Sequence, residues 1–143
     1  LGEEVVVVPI LRAGVGMLDG VLDLVPTARV GFVGLYRDEG TKQPVTYYEK
    51  FPEQISGGTC VIVDPMLATG GSTVAAIDLL KAKGAENIIV ICIVTCAEGV
   101  SFVAQAHGDL PIYAAAVDDH LDDNKYIVPG LGDAGDRLFG TQH

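Results

Sequence analysis

Short apolar runs alternate along this chain with segments in which apolar residues recur at helical spacing. Val5 to Val8 are four consecutive valines, and the run continues to Leu11, which predicts a strand buried on both faces. Similar runs predict further strands at 29–36, 59–63, 87–95 and 112–117. Apolar spacing of three and four predicts helices at 15–24, from Ser72 to Gly84, and at 99–106. Strands that alternate with helices predict an α/β fold with a parallel sheet core and flanking helices.

Turn and cap residues define several boundaries of these elements. Pro26 follows the first helix, and Gly84 is expected to end the second helix in a left-handed conformation. Ser72 is expected to cap the start of that second helix with its hydroxyl group. Residues 37–46 are polar and predict a loop, from which a strand returns at 45–51.

The last part of the chain has a different character. From Ile127 it is rich in Gly and Asp, and little regular structure is expected there. The chain has 143 residues, of which 49% are hydrophobic and 20% charged, and this composition excludes a disordered protein. The sequence contains neither an internal repeat nor a linker, so residues 1–143 are predicted to form one domain.

Charge and hydropathy argue against two classes of partner. The 19 acidic and 9 basic side chains give a net charge of −10, which argues against binding to nucleic acid or to an anionic membrane. Small phosphates stay compatible with this charge, because a few cations and backbone N–H groups suffice for them. The longest aliphatic run, Ile88 to Val94, is too short to span a bilayer. Cys60, Cys92 and Cys96 lack a metal-binding spacing and are expected to be buried and reduced, so a soluble, cytoplasmic protein is predicted.

A loop of small residues follows the predicted strand at 59–63. Asp64 ends that strand, and the segment 68–72 contains two hydroxyl groups, two adjacent glycines and no bulky side chain. Consecutive backbone N–H groups at the start of a helix can bind one phosphate group, and a carboxylate beside them suits ribose hydroxyls. The loop is neither a Walker loop, which has a Lys after its second Gly, nor a dinucleotide fingerprint, whose glycines are spaced. An ordinary strand–turn–helix connection is the alternative.

Arginines follow two other predicted strands, where α/β sheets place their ligand sites. Arg12 comes after the first strand with small residues behind it, and its planar fork of donors suits a diphosphate. Arg37 comes after the second strand and is also typical of a solvated charged loop. Lys42 lies in the same loop, and nothing in the sequence assigns it to a site.

Two C-terminal segments contain many polar residues. Segment 126–137 has three glycines and two acids outside any predicted helix, and its residues fit either a surface turn or a binding loop. Four aspartates flank His120, and a solvated acidic loop is favoured there over a metal site. No metal-ligating residues are therefore assigned.

The segment from Asp64 to Ser72, with the sequence Asp-Pro-Met-Leu-Ala-Thr-Gly-Gly-Ser, resembles the phosphoribosyl-pyrophosphate (PRPP) motif of type I phosphoribosyltransferases. Most members have two adjacent acids before the loop, and the form with Pro65 as the second residue resembles that of the uracil phosphoribosyltransferases. Pro-Ile-Leu-Arg-Ala-Gly at 9–14 and the string at 126–137 resemble the same family. Members also have a helical segment before the first strand. Because this sequence opens at Leu1, either its start is processed or an N-terminal segment is missing.

The resemblance implies the type I phosphoribosyltransferase fold, with a flexible hairpin loop and a C-terminal hood over the base. It implies conversion of uracil and PRPP to UMP and diphosphate in pyrimidine salvage, with Mg²⁺ bound together with PRPP. Arg12, Arg37 and Asp64 would then be the catalytic residues. The residues implied for PRPP are Arg12, Arg37, Asp64, Pro65, Met66, Leu67, Ala68, Thr69, Gly70, Gly71, Ser72 and Asp133. Those implied for uracil are Ile127, Gly132, Asp133 and Ala134.

The resemblance also bears on dynamics, assembly and alternatives. It implies that a loop at 37–50 closes over the site and that the chain forms a homo-oligomer, a dimer or larger, and it leaves a GTP effector open. One alternative is a regulatory protein of the same fold that binds uridine nucleotides and RNA, which the charge of −10 disfavours. Another is a related enzyme that uses purines, which Pro65 disfavours because purine members usually keep two acids before the loop.

Overall fold

A computed structural model describes residues 3–142. Its helices and strands follow the alternation that the sequence predicts. The strands are β1 (Val5–Leu11), β2 (Arg29–Val30), β3 (Phe32–Arg37), β4 (Pro44–Lys50), β5 (Thr59–Val63), β6 (Met66–Leu67), β7 (Asn87–Cys96), β8 (Ile112–Asp118), β9 (His120–Leu121) and β10 (Ile127–Val128). The helices are α1 (Val15–Leu24), α2 (Gly71–Ala82), α3 (Ala97–His107) and α4 (Ala134–Phe139).

The larger sheet within residues 3–142 has eight strands, and its main path runs β4-β3-β1-β5-β7-β6. Strands β1, β5 and β7 pair in parallel, so that Val61 lies between Val7 and Ile89. Strands β2 and β8 extend the parallel pairing, on β1 and β7 respectively. Strand β4 runs antiparallel to β3 because the chain returns directly through a short loop. The predicted α/β fold with a mostly parallel sheet is confirmed.

Two local predictions are wrong. Ser72 is not the cap of α2, because Gly70 occupies the cap position with φ of 88° and the helix begins at Gly71. The C-terminal tail is more regular than predicted, since it contains β10 and the short helix α4. Asp133 explains that helix, because its carboxylate accepts a hydrogen bond from the backbone N–H of Asp136 at 2.8 Å and so caps the first turn.

Helices cover both faces of the parallel strands. Ile77 and Leu80 of α2 are fully buried on one face, in the same apolar cluster as Ile62 and Val8. Helix α1 packs on the opposite face, where Val7 and Val63 are fully buried. Each such aliphatic side chain contributes roughly 1.5–3 kcal/mol by leaving water. This packing fixes the carboxyl ends of β1, β5 and β7 at one edge of the sheet.

The three cysteines are buried and unpaired, as the sequence predicts. Burial raises the pKa of each thiol, and that of Cys92 reaches about 11. Across residues 3–142, no helix has both the length and the apolar character that a bilayer crossing requires.

Candidate functional site

The segments that follow β1, β3 and β5 meet the C-terminal segment around a cavity of about 660 Å³. Among its lining residues are Ala13, Arg37, Asp64, Met66, Ala68, Gly132, Asp133 and Ala134. A second cavity of about 450 Å³ adjoins the start of helix α2, at Thr69, Gly71 and Ser72. The structure thus brings together four of the segments that the sequence singles out.

The proposed phosphate loop, residues 64–72, is held in place from below by β7. Its short strand β6 pairs with β7, where Leu67 lies opposite Thr95. The buried Thr95 donates a hydrogen bond from Oγ1 to the carbonyl oxygen of Leu67 at 2.9 Å. The thiol of Cys96 donates to the carbonyl oxygen of Ala68 at 3.4 Å. Side-chain donors of one strand therefore fix two successive carbonyls of the loop.

Glycines at the end of the loop allow close approach of helices α2 and α3. Gly70 has the left-handed φ of 88°, and a Cβ there would lie 2.9 Å from the carbonyl oxygen of Gly99. A Cβ on Gly99 would in turn collide with the carbonyl oxygen of Ala68. Because Gly70 carries no side chain, no carboxylate or hydroxyl of its own occupies the N-terminus of α2. Apart from the N–H of Gly71, which donates to the hydroxyl of Thr69, the first-turn N–H groups of α2 therefore suit an external anion.

Asp64 lies directly after β5, at the floor of the large cavity. Burial raises the pKa of its carboxyl group to about 7, and the hydrogen bond from the N–H of Met66, at 3.4 Å, opposes this only in part. An acid with a pKa near neutrality next to a proposed binding loop is typical of a functional site.

Arg37 is joined to the phosphate loop across the sheet edge. Its Nη2 donates to the hydroxyl oxygen of Thr69 at 2.9 Å, and that oxygen also accepts from the N–H of Gly71 at 3.3 Å. The loop that follows Arg37 is organised by Asp38, whose carboxylate accepts from the N–H groups of Gly40 and Thr41. These hydrogen bonds lower the pKa of Asp38, so the loop contains an ionised acid.

Arg12 does not line the cavities described above, although its neighbour Ala13 does. Its guanidinium contacts the C-terminal helix instead, where Nη2 lies 3.1 Å from Oδ1 of Asp136. The side chain of Arg12 is 48% exposed, so the guanidinium lies at the rim of the site.

The C-terminal side of the cavity is formed by the residues before and at the start of α4. Gly132, Asp133 and Ala134 line it, as does Tyr126. Ile127 does not, because its side chain is 2% exposed and packs with Val94 and Cys96. Pro65 is also buried, and its carbonyl oxygen accepts hydrogen bonds from the N–H groups of β7. Any contact of Ile127 or Pro65 with a ligand would therefore involve the backbone.

The acidic segment around His120 supports the C-terminal side of the cavity through hydrogen bonds. Asp118 accepts from the N–H of Gly130 at 2.9 Å, and Asp122 accepts from the N–H groups of Asn124 and Tyr126 at 2.8 and 3.0 Å. Within residues 3–142 no group of three or more His, Cys, Asp or Glu side chains forms a metal site.

Sequence reasoning left out several residues of the candidate site, among them Lys42, Lys125 and Thr95. Lys42 and Lys125 line both larger cavities together with Arg37, and both have positive φ, at 61° and 68°. Thr95 was missed because its strand is otherwise almost continuously apolar, and the lone hydroxyl in that strand was the available signal. Lysines at turn positions give no such signal, since most of them are simply solvated.

Comparison with known proteins is consistent with this geometry. The family model described as uracil phosphoribosyltransferase matches residues 1–141. A uracil phosphoribosyltransferase of Enterococcus faecalis is 58% identical over 141 residues, which are 99% of this chain and 68% of the relative. One from Lactiplantibacillus plantarum is 57% identical over the same shares of the two chains.

Solved structures agree with the fold. The AQ2163 protein from Aquifex aeolicus superposes with a TM-score of 0.92 at 41% identity, over 98% of this chain and 67% of its own. A purine phosphoribosyltransferase from Pyrococcus horikoshii superposes with a TM-score of 0.65 at 17% identity, over 80% of this chain and 71% of its own, which shows a shared fold. The family model matches residues 1–141, and the two relatives are 57–58% identical over 99% of this chain. This chain therefore belongs to the uracil phosphoribosyltransferase family.

Proposed function

We propose that this chain is a pentosyltransferase that converts uracil and PRPP to UMP and diphosphate. The observation that carries the proposal is the loop at 64–72, which opens helix α2 at one side of a 660 Å³ cavity whose other side is lined by Gly132 and Ala134. A phosphorylated sugar between these two sides would contact both. Membership of the uracil phosphoribosyltransferase family supports the same reaction.

The 5′-phosphate of PRPP would bind at segment 68–72. The N–H groups at the start of α2 point partial positive charge at this position, and the helix dipole favours an anion there. The hydroxyl groups of Thr69 and Ser72 and the absence of large side chains support a single compact phosphate. Asp64, which follows β5 at the start of the same loop, would hold the ribose hydroxyls.

The diphosphate leaves with negative charge, so nearby cations assist the reaction. Arg37 lies beside the phosphate loop, and Lys42 and Lys125 line the same cavity. Arg12 would approach from the rim. Such pre-positioned cations stabilise charge that develops in the transition state, and typical losses on removal of one donor are about 10²–10³-fold in kcat.

Magnesium would arrive with PRPP, and its role is to neutralise charge on the diphosphate. The carboxylates of Asp64, Asp123 and Asp133 line the cavity and are the groups that would meet it. A magnesium ion commonly keeps most of its ligands from substrate phosphates and water, so few protein carboxylates would be needed.

Bond cleavage at the anomeric carbon should pass through an oxocarbenium-like state, as in glycoside chemistry. The ionised form of Asp64 would favour the positive charge of that state. At neutral pH its pKa of about 7 leaves a large fraction protonated in the free protein. Mg²⁺ bound with PRPP would lower this pKa and increase the ionised fraction, whereas the negative phosphates of PRPP would act in the opposite direction.

The uracil edge offers alternating acceptors and donors, which backbone groups of Gly132 and Ala134 would match. Asp133 would lie between the base and the sugar, and Ile127 would contribute its backbone. Cytosine should be rejected, because its exocyclic amine would leave a buried donor unpaired. The proposal includes these residue roles and a loop at 37–50 that closes over the site. It also includes one domain over residues 1–143, a homo-oligomer, a GTP effector and a cytoplasmic location.

The RNA-binding regulator has no support from the relatives, which are named for the enzyme. The decisive experiment measures formation of labelled UMP from labelled uracil, PRPP and Mg²⁺, with cytosine and hypoxanthine in parallel. Turnover with uracil alone is expected. Absence of turnover together with absence of PRPP binding would contradict the site as drawn.

A further inference from the structure

Arg12 is fixed to the C-terminal end of the chain by three contacts. Its Nη2 pairs with Oδ1 of Asp136 at 3.1 Å, and its Nη1 donates to Oγ1 of Thr141 at 3.1 Å. The guanidinium carbon lies 5.7 Å from the centre of the Phe139 ring. The hydroxyl of Thr141 donates to the same oxygen of Asp136, so acid, hydroxyl and guanidinium form a closed triangle of hydrogen bonds.

These contacts leave the guanidinium able to bind an anion. Its two hydrogen bonds use two of five N–H donors, and the side chain is 48% exposed. Asp136 is much less exposed, at 16%, so its charge is only weakly screened by solvent. An exposed ion pair alone contributes little to stability, but a pair with one partly buried acid and a stacked ring defines the orientation of the guanidinium.

The same acid belongs to the turn that forms the base side of the cavity. The N–H of Asp136 donates to the carboxylate of Asp133 at 2.8 Å, and Asp133 lines the cavity between Gly132 and Ala134. A Cβ on Gly135 would lie 3.3 Å from Nη2 of Arg12, so this turn and the guanidinium are in direct packing contact. Asp136 thus makes one hydrogen bond to Asp133 on the base side of the cavity and another to Arg12.

We propose that Asp136 is a positioning residue that couples the uracil side of the site to Arg12 and thereby to the diphosphate. The proposal rests on the proposed function for the location of the two ligands. A base that binds at Gly132 to Ala134 orders the first turn of α4, and the Asp136 carboxylate then holds Arg12 in the orientation that meets the diphosphate. By thermodynamic reciprocity, each ligand then raises affinity for the other by the same factor.

The test uses a ligand pair that cannot react, namely diphosphate with Mg²⁺ and uracil. Calorimetric titration gives the affinity for diphosphate with and without saturating uracil. In the unmodified chain uracil is expected to tighten diphosphate binding about fivefold or more, the lower end of typical couplings. In Asp136→Asn this factor should fall close to one, and the KM for PRPP should rise more than kcat falls.

Three further variants separate positioning from other roles. Asp136→Glu should restore much of the coupling, whereas a residue that acts only in folding would gain nothing specific from the restored charge. Thr141→Val removes one Arg12 contact without a change of charge and should weaken the coupling partially, and it serves as the test if Asp136→Asn does not fold. Asp109→Asn, a carboxylate in the turn between α3 and β8, is the matched control and should behave like the unmodified chain.

Two results would overturn the proposal. Tighter diphosphate binding by Asp136→Asn would mean that the acid competes with the diphosphate for Arg12. Unchanged coupling in Asp136→Asn and Thr141→Val, or absence of coupling in the unmodified chain, would mean that the contact does not transmit binding. Failure of the proposed function is a separate result, since it appears as absent UMP formation in the unmodified chain.

Discussion

The hydroxyl of Thr95 reaches the carbonyl oxygen of Leu67 at 2.9 Å, and so a buried side chain of β7 sets the height of the proposed phosphate loop. Thr95 is 1% exposed, which leaves no room for water to replace this bond. Thr95→Val keeps the shape of the side chain and removes the donor. Loss of one buried hydrogen bond costs about 1–3 kcal/mol when the remaining group is unsatisfied, and we expect a lower unfolding free energy and a higher KM for PRPP.

Thr95→Ser is the matched control for this substitution. It keeps the hydroxyl and loses one methyl group, so KM for PRPP should stay near that of the unmodified chain. Urea unfolding and initial rates measure the two quantities. Equal KM values in all three proteins would mean that the loop does not depend on this bond.

Arg37 provides the second prediction, which concerns the type of cation. Its Nη2 donates to Thr69, and the planar fork leaves further donors for a diphosphate oxygen. Arg37→Ala should lower kcat/KM for PRPP by about 10²–10³-fold. Arg37→Lys keeps the charge without the fork and should recover only part of that loss. Full activity of the lysine variant would show that charge alone suffices.

The raised pKa of Asp64 gives a prediction for stability against pH. The ordinary value is 3.8 and the folded value is about 7, so the folded chain holds a proton that the unfolded chain has lost between these values. The contribution of this group to the free energy of unfolding is therefore at its maximum below about pH 4 and declines as the pH rises to about 7. The loss is ~4 kcal/mol at most, because each pKa unit corresponds to 1.36 kcal/mol.

Asp64→Asn has no such proton to hold. Urea unfolding of both proteins at pH 5 and pH 8 should give a smaller decline for the variant, and the variant should be the more stable one at pH 8. UMP formation by the same variant should be strongly reduced. An identical decline in both proteins would show that Asp64 has an ordinary pKa.

Replacement of Lys125 by glycine is expected to raise stability and to weaken PRPP binding. Its φ of 68° is unfavourable for a side chain with a Cβ, and such positions cost of order 1–3 kcal/mol. Lys125→Gly should therefore raise the unfolding free energy and, because Lys125 lines both larger cavities, weaken PRPP binding several-fold. Lys81→Gly, in the last turn of α2, is a control that should destabilise without an effect on PRPP. Unchanged PRPP affinity in Lys125→Gly would exclude the lysine from the site.

Much of this architecture follows from local sequence patterns. The valine run of β1 and the apolar periodicity of α2 predict their elements nearly to the residue, because both are dominated by burial. Ser72 was misplaced as a cap because a left-handed glycine two residues earlier turns the chain before the hydroxyl can act. Helix α4 was missed because six residues make fewer than two turns, which is too short to show a helical periodicity. The capping residue Asp133 was the available signal in the sequence.

The candidate site was predictable where residues lie at or directly after the carboxyl end of a strand, as with Arg37 at the end of β3 and Asp64 after β5. It was not predictable where contacts cross the whole chain. The pair of Arg12 and Asp136 joins residues 124 positions apart, and neither residue type nor spacing indicates it. Ile127 shows the opposite case, since an apolar residue in a binding string is buried among Val94 and Cys96 rather than turned to the cavity.

The buried thiols have a practical consequence for the study of loop motion. With raised pKa values and little exposure, Cys60, Cys92 and Cys96 should resist maleimide reagents at neutral pH. A cysteine introduced at the exposed Glu39 would then take up a fluorophore selectively, without removal of the native cysteines. The native cysteines therefore need not be replaced before single-site optical labelling, so the proposed closure of the loop at 37–50 could be tested in real time on an otherwise unaltered protein.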